Sequence, residues 1–405
     1  MNLFKLRRYS DEGQIEPSGP VVKSALASVH TIPVAEEPRT VFVRGQGSWM
    51  WDSLGRTYLD FTQGGAANSL GHCPQAVVNA LNAQAQSLIN PGHDQQHRSL
   101  VDLTRRLRDS TRSDQTYFFD SGAQACDGAI TLARRWGQLH RGGACGVISA
   151  GGSSFEPEVQ GSGKVPFNDL AALHAAVDAQ TVAIVLEPIQ SDAGVIPASR
   201  DYLQGVARLC RELDILLILD EAQTGMGRCG VLLCEESYDV RADIVVLGKG
   251  LGGGMPLAAL LVRGGACCAL PGELEGDHHG GALMTAAGLA VLQSVLEPGF
   301  LPRVQYTGQH MGAGLARLAQ RYHTSEVRGQ GLLWGMLLKD DRAAAVVDAA
   351  RQEGLLINAP QADCLRFSPA LTVSRADIDE MLLRLGRALA RVNATKPASR
   401  FSLMA

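Results

Sequence analysis

Short, nearly unbroken apolar runs alternate with longer amphipathic stretches through the middle of the chain. Thr181 to Leu186, Ile215 to Leu219 and Ile244 to Leu247 are four to six residues long and rich in β-branched side chains. Continuous apolar character over that length predicts strands buried on both faces, as in a parallel sheet covered by helices. Tyr202 to Leu213 lies between two of them with helical spacing, so the segment from about 115 to 265 reads as a doubly wound α/β core. Upstream, Thr40-Val-Phe-Val and the run Trp49 to Asp60 predict a short antiparallel pair turning at Ser53-Leu-Gly-Arg56. Pro74 to Leu88 and Arg98 to Leu107 read as helices, and Leu283 to Leu296 as a long connecting helix. Farther on, Gly331 to Leu338, a helix from Ala343 to Gln352, and Leu365-Arg-Phe leading into a helix from Ala376 to Val392 predict a smaller α+β domain. The first 40 or so residues are irregular and rich in Pro, Ser and Glu.

Two of the buried runs end on polar residues. Asp243-Ile-Val-Val-Leu-Gly-Lys249-Gly-Leu-Gly-Gly-Gly254 delivers a lysine into a glycine-rich turn, and Ile215-Leu-Leu-Ile-Leu-Asp220-Glu-Ala-Gln223 ends on a carboxylate. Consecutive strands of a parallel sheet present both ends on the carboxyl edge, where α/β proteins bind ligands. Burial disfavours the ammonium form of a lysine and leaves an amine able to attack a carbonyl. A lysine to carry an aldehyde as an imine and a carboxylate to keep a pyridine nitrogen protonated are what pyridoxal phosphate requires. Lys249 and Asp220 fit those roles, and Gln223 is placed to donate to the phenolic oxygen. Taken singly, Asp220 is a turn cap and Lys249 a surface residue; together they argue for the cofactor.

A phosphate needs backbone donors. Tyr117-Phe-Phe-Asp-Ser121-Gly122-Ala123 followed by an amphipathic segment to Arg135 supplies a strand, a tight turn and a helix start whose first amides face an anion.

Composition narrows the classes without choosing among enzymes. The chain has 405 residues, 45% hydrophobic and 19% charged, with a net charge of -4, which leaves no basic footprint for nucleic acid or an anionic membrane. Nine cysteines are scattered without a C-x-x-C pair, as expected of reduced thiols. Cys267-Cys268, Cys229 with Cys234, and His278-His279 lack metal-ligand spacing, so no metal is expected. His72, in a Gly-His loop, reads as satisfied by backbone groups. Gly161-Ser-Gly-Lys164 lacks the first glycine and the final hydroxyl of a P-loop and reads as a turn. No run reaches membrane-span length, and Met1 to Arg8 lacks the apolar core and cleavage site of a secretory signal, so a cytoplasmic location is expected.

The chain resembles the fold-type I, class-III pyridoxal-phosphate aminotransferases, in particular the acetylornithine and ornithine aminotransferases. The resemblance rests on Val43 to Asp60, Asn68-Ser-Leu-Gly-His72, Asp120-Ser-Gly-Ala123, Leu186-Glu-Pro-Ile-Gln190, Leu219 to Arg228, Gly248 to Gly254 and Leu365-Arg-Phe-Ser-Pro369, in that order. It implies a homodimer with the active site at the subunit interface, and transfer of an amino group from an ornithine-like or other ω-amine donor to 2-oxoglutarate. It implies Lys249 as the Schiff-base lysine and Ser121, Gly122, Ala123, Glu187, Asp220 and Gln223 as cofactor-binding residues. Arg366 is implied on the substrate α-carboxylate, with Asp192 standing where the family has a glutamate that gates this arginine. The resemblance divides the chain into an N-terminal arm with part of the small domain (1–60), a large cofactor domain (61–290), the C-terminal small domain (291–392) and a mobile tail (393–405).

Departures from the family pattern are specific. Its aromatic-His-Gly-Arg-Thr motif is absent from Gly146 to Lys164, a shortened stretch, and with it go the ring-stacking aromatic and the arginine for the substrate's distal carboxylate. Phe155 is the candidate replacement ring. The His-Gly-Thr-Thr segment, whose threonine reaches the partner's cofactor phosphate, is reduced to Gly276 to Met284, and Ala125-Cys126-Asp127 replaces Ala-Asn-Glu. N-acetylornithine is therefore expected to be a poor donor, and the true donor to be an amine that lacks a distal carboxylate or meets it with a different cation, such as Lys164 or a residue of the partner subunit. The competing expectations are a divergent homologue acting as a non-catalytic partner, and a decarboxylase or racemase on the same fold.

Overall fold

The structure, a computed structural model, describes residues 40–92, 95–152, 163–270, 272–274 and 279–394. The irregular N-terminal stretch, Phe155, His278 and the tail beyond residue 394 lie outside the described residues.

Seven strands form the central sheet: β1 (Gln115–Phe119), β2 (Gly146–Ala150), β3 (Gly163–Val165), β4 (Thr181–Leu186), β5 (Leu216–Asp220), β6 (Ile244–Leu247) and β7 (Ala258–Val262). Their order is β1-β7-β6-β5-β4-β2-β3. All run parallel except β7, which is antiparallel to both neighbours. The buried runs read from the sequence are the middle of this sheet. Along β5, Leu217 and Leu219 join one core while Leu216 and Ile218 join the other. That period of two places apolar side chains against helices on both faces. Helix α1 (Gly122–His140) buries Ala125, Ala129, Ile130 and Ala133 against one face. The helices Arg200–Glu212 and Ala282–Val295 contribute Leu203, Val206, Val291 and Leu292 to the core on the other.

Asp220 aligns with Val246 in the β5–β6 register, so the two polar strand ends sit side by side. The connection between those strands differs from the expected helical crossover: it holds only a 3-10 turn at Cys234–Tyr238. Gly163–Val165 is a strand pairing with β2 and not a turn, and Lys164 lies opposite Ser149.

A four-stranded antiparallel sheet is built from Glu326–Gln330, Leu333–Leu337, Cys364–Phe367 and Asn358–Gln361. The antiparallel strands Phe42–Gln46, Trp49–Asp52 and Thr57–Asp60 form another sheet, turning where the sequence places the turn, and Leu355–Leu356 joins it parallel to the last of them. Several elements were not read from the sequence, among them the strands Gly146–Ala150 and Ala258–Val262 and, the longest, the helix Phe300–Tyr322, which follows Ala282–Val295 after a short break. No single helix among the described residues is long and apolar enough to cross a membrane.

Candidate active site

Four strand ends converge at the carboxyl edge: Asp220 closes β5, Glu187 follows β4, Lys249 follows β6, and the turn after β1 opens α1. Around them lies a cavity of about 640 Å³ lined by Gly122, Ala123, Cys126, Asp127, Glu187, Ser191, Asp192, Asp220, Ala222, Gln223 and Lys249. The turns pack tightly. A Cβ added at Gly248 would stand 3.2 Å from Ala222 Cβ and 3.4 Å from Gly122 Cα, so small residues at all three positions let the helix start approach both loops. Lys249 itself has φ 37°, a left-handed conformation rare for a non-glycine residue and held where the surrounding fold over-determines it.

Lys249 is exposed to the open cavity, and desolvation by the surrounding walls still holds its ammonium below the ordinary lysine range, although Asp192 and Asp220 pull the other way. Its Nζ donates to Gln223 Oε1. The opposite group of that amide, Gln223 Nε2, is buried and has no hydrogen-bond partner. Such an orphaned donor is costly unless a ligand supplies an acceptor. Asp220 is half-buried, and desolvation raises its carboxyl above the usual range, against the Ala222 amide, the Cys126 thiol and Lys249. Its Oδ1 accepts from Ala222 N at 2.9 Å and its Oδ2 from Cys126 Sγ at 3.3 Å. A desolvated carboxylate held by one amide and one weak thiol donor favours a further cationic donor.

Ser121 is the N-cap of α1. Its exposed hydroxyl accepts from Gln124 N at 3.3 Å, and Ser121 is not among the residues lining the cavity. Gly122 and Ala123 do line it, and their first-turn amides have no acceptor within the helix. Arg366, buried on the strand Cys364–Phe367, reaches the cavity wall. Its Nη1 donates to Ser191 Oγ at 2.9 Å and to Asp192 Oδ1, and its Nε to Asn358 Oδ1 at 3.2 Å. The shorter Asp192 carboxylate therefore does reach the arginine, with its side chain 55% exposed against 9% for Arg366. Ser191, Cys126 and Asp127 were not read as site residues. The only sequence signal for them was their place in motifs that depart from the family pattern.

His72 is held by a carboxylate, not by backbone as expected: its Nε2 lies 2.8 Å from Asp60 Oδ2. Burial opposes ionisation of Asp60, but the bonds from His72 and Thr62 outweigh it and hold the carboxyl below its ordinary range. No group of His, Cys, Asp and Glu suited to a metal occurs among the described residues.

The residues present fit a planar, phosphorylated pyridine aldehyde. Lys249 is the amine, Asp220 the acceptor for a ring nitrogen cation, the orphaned Gln223 Nε2 a donor to a ring oxygen, and the Gly122 and Ala123 amides the anion end.

A family model for class-III aminotransferases matches residues 31–155 and 150–389. Acetylornithine aminotransferase 2 of Bordetella pertussis is 43% identical over 381 residues, covering 89% of this chain and 96% of the relative. Acetylornithine aminotransferase of Ralstonia nicotianae is 40% identical over 375 residues, covering 86% and 94%. The solved N-acetylornithine aminotransferase of Stenotrophomonas maltophilia superposes with a TM-score of 0.83 at 32% identity, covering 93% of this chain and 100% of that one. Ornithine delta-aminotransferase of Plasmodium falciparum gives 0.87 at 28% identity, covering 93% and 98%. The fold, the strand-end constellation and these matches agree: the chain belongs to the class-III aminotransferases.

Proposed function

We propose that this protein is a pyridoxal-phosphate-dependent aminotransferase that moves the amino group of an ornithine-like ω-amine donor to 2-oxoglutarate. The observation that carries the reading is Lys249 on a tight turn at the strand ends, bonded to Gln223 and sharing one cavity with the Asp220 carboxylate. When bound, the cofactor supplies an electron sink for charge that develops at the substrate carbon. Asp220 would hold a proton at the ring nitrogen. Gln223 Nε2 would donate to the ring oxygen and the Gly122 and Ala123 amides would take the phosphate, with Glu187 on the cavity wall. Lys249 would anchor the cofactor covalently and would be the base that takes and returns the proton. Arg366 pairs with the α-carboxylate of 2-oxoglutarate when Asp192 yields its place. Names of the relatives as acetylornithine and ornithine aminotransferases support the donor class.

The unit in solution is a homodimer on this reading. Ile89 is 60% exposed beside an apolar cavity lined by Ile89, Pro256, Leu283 and Met284 and reaching Asp120, next to the helix start. A second copy would cover that surface. The nine cysteines are all free, in keeping with a reducing cytoplasm.

Purified protein incubated with cofactor should develop a visible absorption band, and borohydride should then fix a pyridoxyl group to Lys249. Peptide mass spectrometry finding the label elsewhere, or no label with excess cofactor, would overturn the assignment and favour a non-catalytic homologue.

A further inference from the structure

The Cys126 thiol is a polar side chain of the cavity that the proposed chemistry leaves without a task. Cys126 lies in the second turn of α1 on its buried side, and its Sγ stands 3.3 Å from Asp220 Oδ2. The opposite oxygen, Oδ1, takes the Ala222 amide at 2.9 Å. A carboxylate restrained at both oxygens by groups on two different elements cannot rotate, and the close packing of Gly122, Ala222 and Gly248 fixes the spacing between those elements.

We propose that Cys126 is a positioning residue for Asp220, its thiol orienting the carboxylate toward the cavity while leaving it a strong acceptor for a ring nitrogen cation. This inference rests on the proposed pyridoxal-phosphate chemistry. A thiol suits the task because S–H is a weak donor: it restrains the oxygen without satisfying it, where a hydroxyl or amide at bonding distance would compete with the incoming cation. The thiol stays protonated, because burial and the carboxylates of Asp220, Glu187 and Asp127 all oppose a thiolate there. Asp220 is also faced by the Lys249 ammonium and, more distantly, by Asp192. Among the described residues Cys126 is the side chain that donates to Oδ2. The serine isostere is a graded probe, since a C–O bond is shorter than a C–S bond and would draw the donor back from Oδ2 without removing it.

The test compares the full chain with Cys126→Ala and Cys126→Ser in three measurements. These are the melting temperature without cofactor, the cofactor Kd from quenching of intrinsic tryptophan fluorescence, and the pH midpoint of the bound cofactor's visible band. Loss of one weak hydrogen bond to a charged group predicts a Kd raised roughly three- to tenfold in C126A, with C126S between it and the unsubstituted protein. The band midpoint should move in the same graded order. A residue that only packs would lower the melting temperature of the cofactor-free protein and leave Kd and midpoint in place. Unchanged Kd and midpoint in both variants overturn the inference, and C126S alone decides it if C126A does not fold. Failure of the unsubstituted chain to capture cofactor would instead overturn the functional reading beneath it.

Discussion

Arg366 shows what a single residue decides. Its guanidinium is buried and already spoken for by Ser191, Asp192 and Asn358, so a substrate carboxylate binds only by displacing the exposed Asp192 side chain. Arg366→Ala would leave that carboxylate in a desolvated place without its fork, at a cost of about 2 to 5 kcal/mol in 2-oxoglutarate recognition. Arg366→Lys should recover only part, because an ammonium lacks the planar pair of donors. Half-reaction kinetics with glutamate check this, and unchanged rates in R366A would remove the residue from the site. Next to Asp220, Glu221 turns away from the cavity and accepts the amides of Cys234 at 2.5 Å and Glu235 at 2.8 Å. Complete burial, aided by the nearby Glu235, raises its carboxyl from 4.5 to about 8. The folded protein thus retains a proton that the unfolded chain releases between those values, so this group makes stability fall as pH rises from 4.5 to about 8 and level off above. Chemical denaturation across that range should show a flatter profile for Glu221→Gln than for the unsubstituted protein; parallel profiles would contradict the argument. Lys249, Asp220 and Gln223 were legible in the sequence because each sits at a fixed offset from an apolar run. The partners of Arg366 were only half legible, since Asp192 follows from a motif but Ser191 and Asn358 meet the arginine through folding alone.

At the scale of elements, the helix Phe300–Tyr322 shows why a strongly formed element escaped the sequence pattern. Its glycines at 308, 312 and 314 look like breakers, each costing about 1 kcal/mol against alanine in a helix. In the fold they mark close approaches. A Cβ at Gly308 would come within 2.0 Å of the Gly331 carbonyl oxygen, and one at Gly312 within 2.4 Å of the Trp334 ring. Backbone cannot yield as a flexible side chain can, so Gly308→Ala should destabilise the protein by about 1 to 3 kcal/mol despite the better helix propensity. Urea unfolding would measure it; a neutral or stabilising result would mean that the helix shifts freely against the small sheet. The segment between β5 and β6 is the converse case. The rule that parallel strands are joined by helices predicts a crossover helix, but residues 221 to 243 instead supply Gln223, the Glu221 anchor and the buried Arg228, whose Nη1 donates to the carbonyls of Leu332 and Pro369. That stretch fastens the large sheet to the small one, and its polar contacts leave no apolar stripe to read.

For the whole molecule, the balance of charge in the cavity bears on the donor. Its described lining carries the carboxylates of Asp127, Glu187, Asp192 and Asp220 and one amine, Lys249. With Asp220 given to the ring nitrogen and Asp192 to Arg366, the remainder favours a donor that brings its own positive charge. Ornithine keeps an α-ammonium beside its distal carboxylate, whereas N-acetylornithine presents the bare carboxylate. A panel of ornithine, N-acetylornithine, succinylornithine, 4-aminobutyrate and diamines with 2-oxoglutarate should place N-acetylornithine roughly tenfold or more below the best donor in kcat/KM. N-acetylornithine at the top of that panel would refute the expectation drawn from the missing arginine motif. By itself the sequence determined the doubly wound core, the order of the motifs and the strand ends that carry Asp220 and Lys249, because buried strands and the residues that end them are written in contiguous runs. The tertiary structure decided the rest: that Asp192 and Ser191 hold Arg366, that Ser121 spends its hydroxyl on a helix cap, and that Cys126 meets Asp220. Those contacts join residues far apart in the chain through turns packed to within a methyl group, and no local pattern encodes a distance between elements that only the assembled core sets.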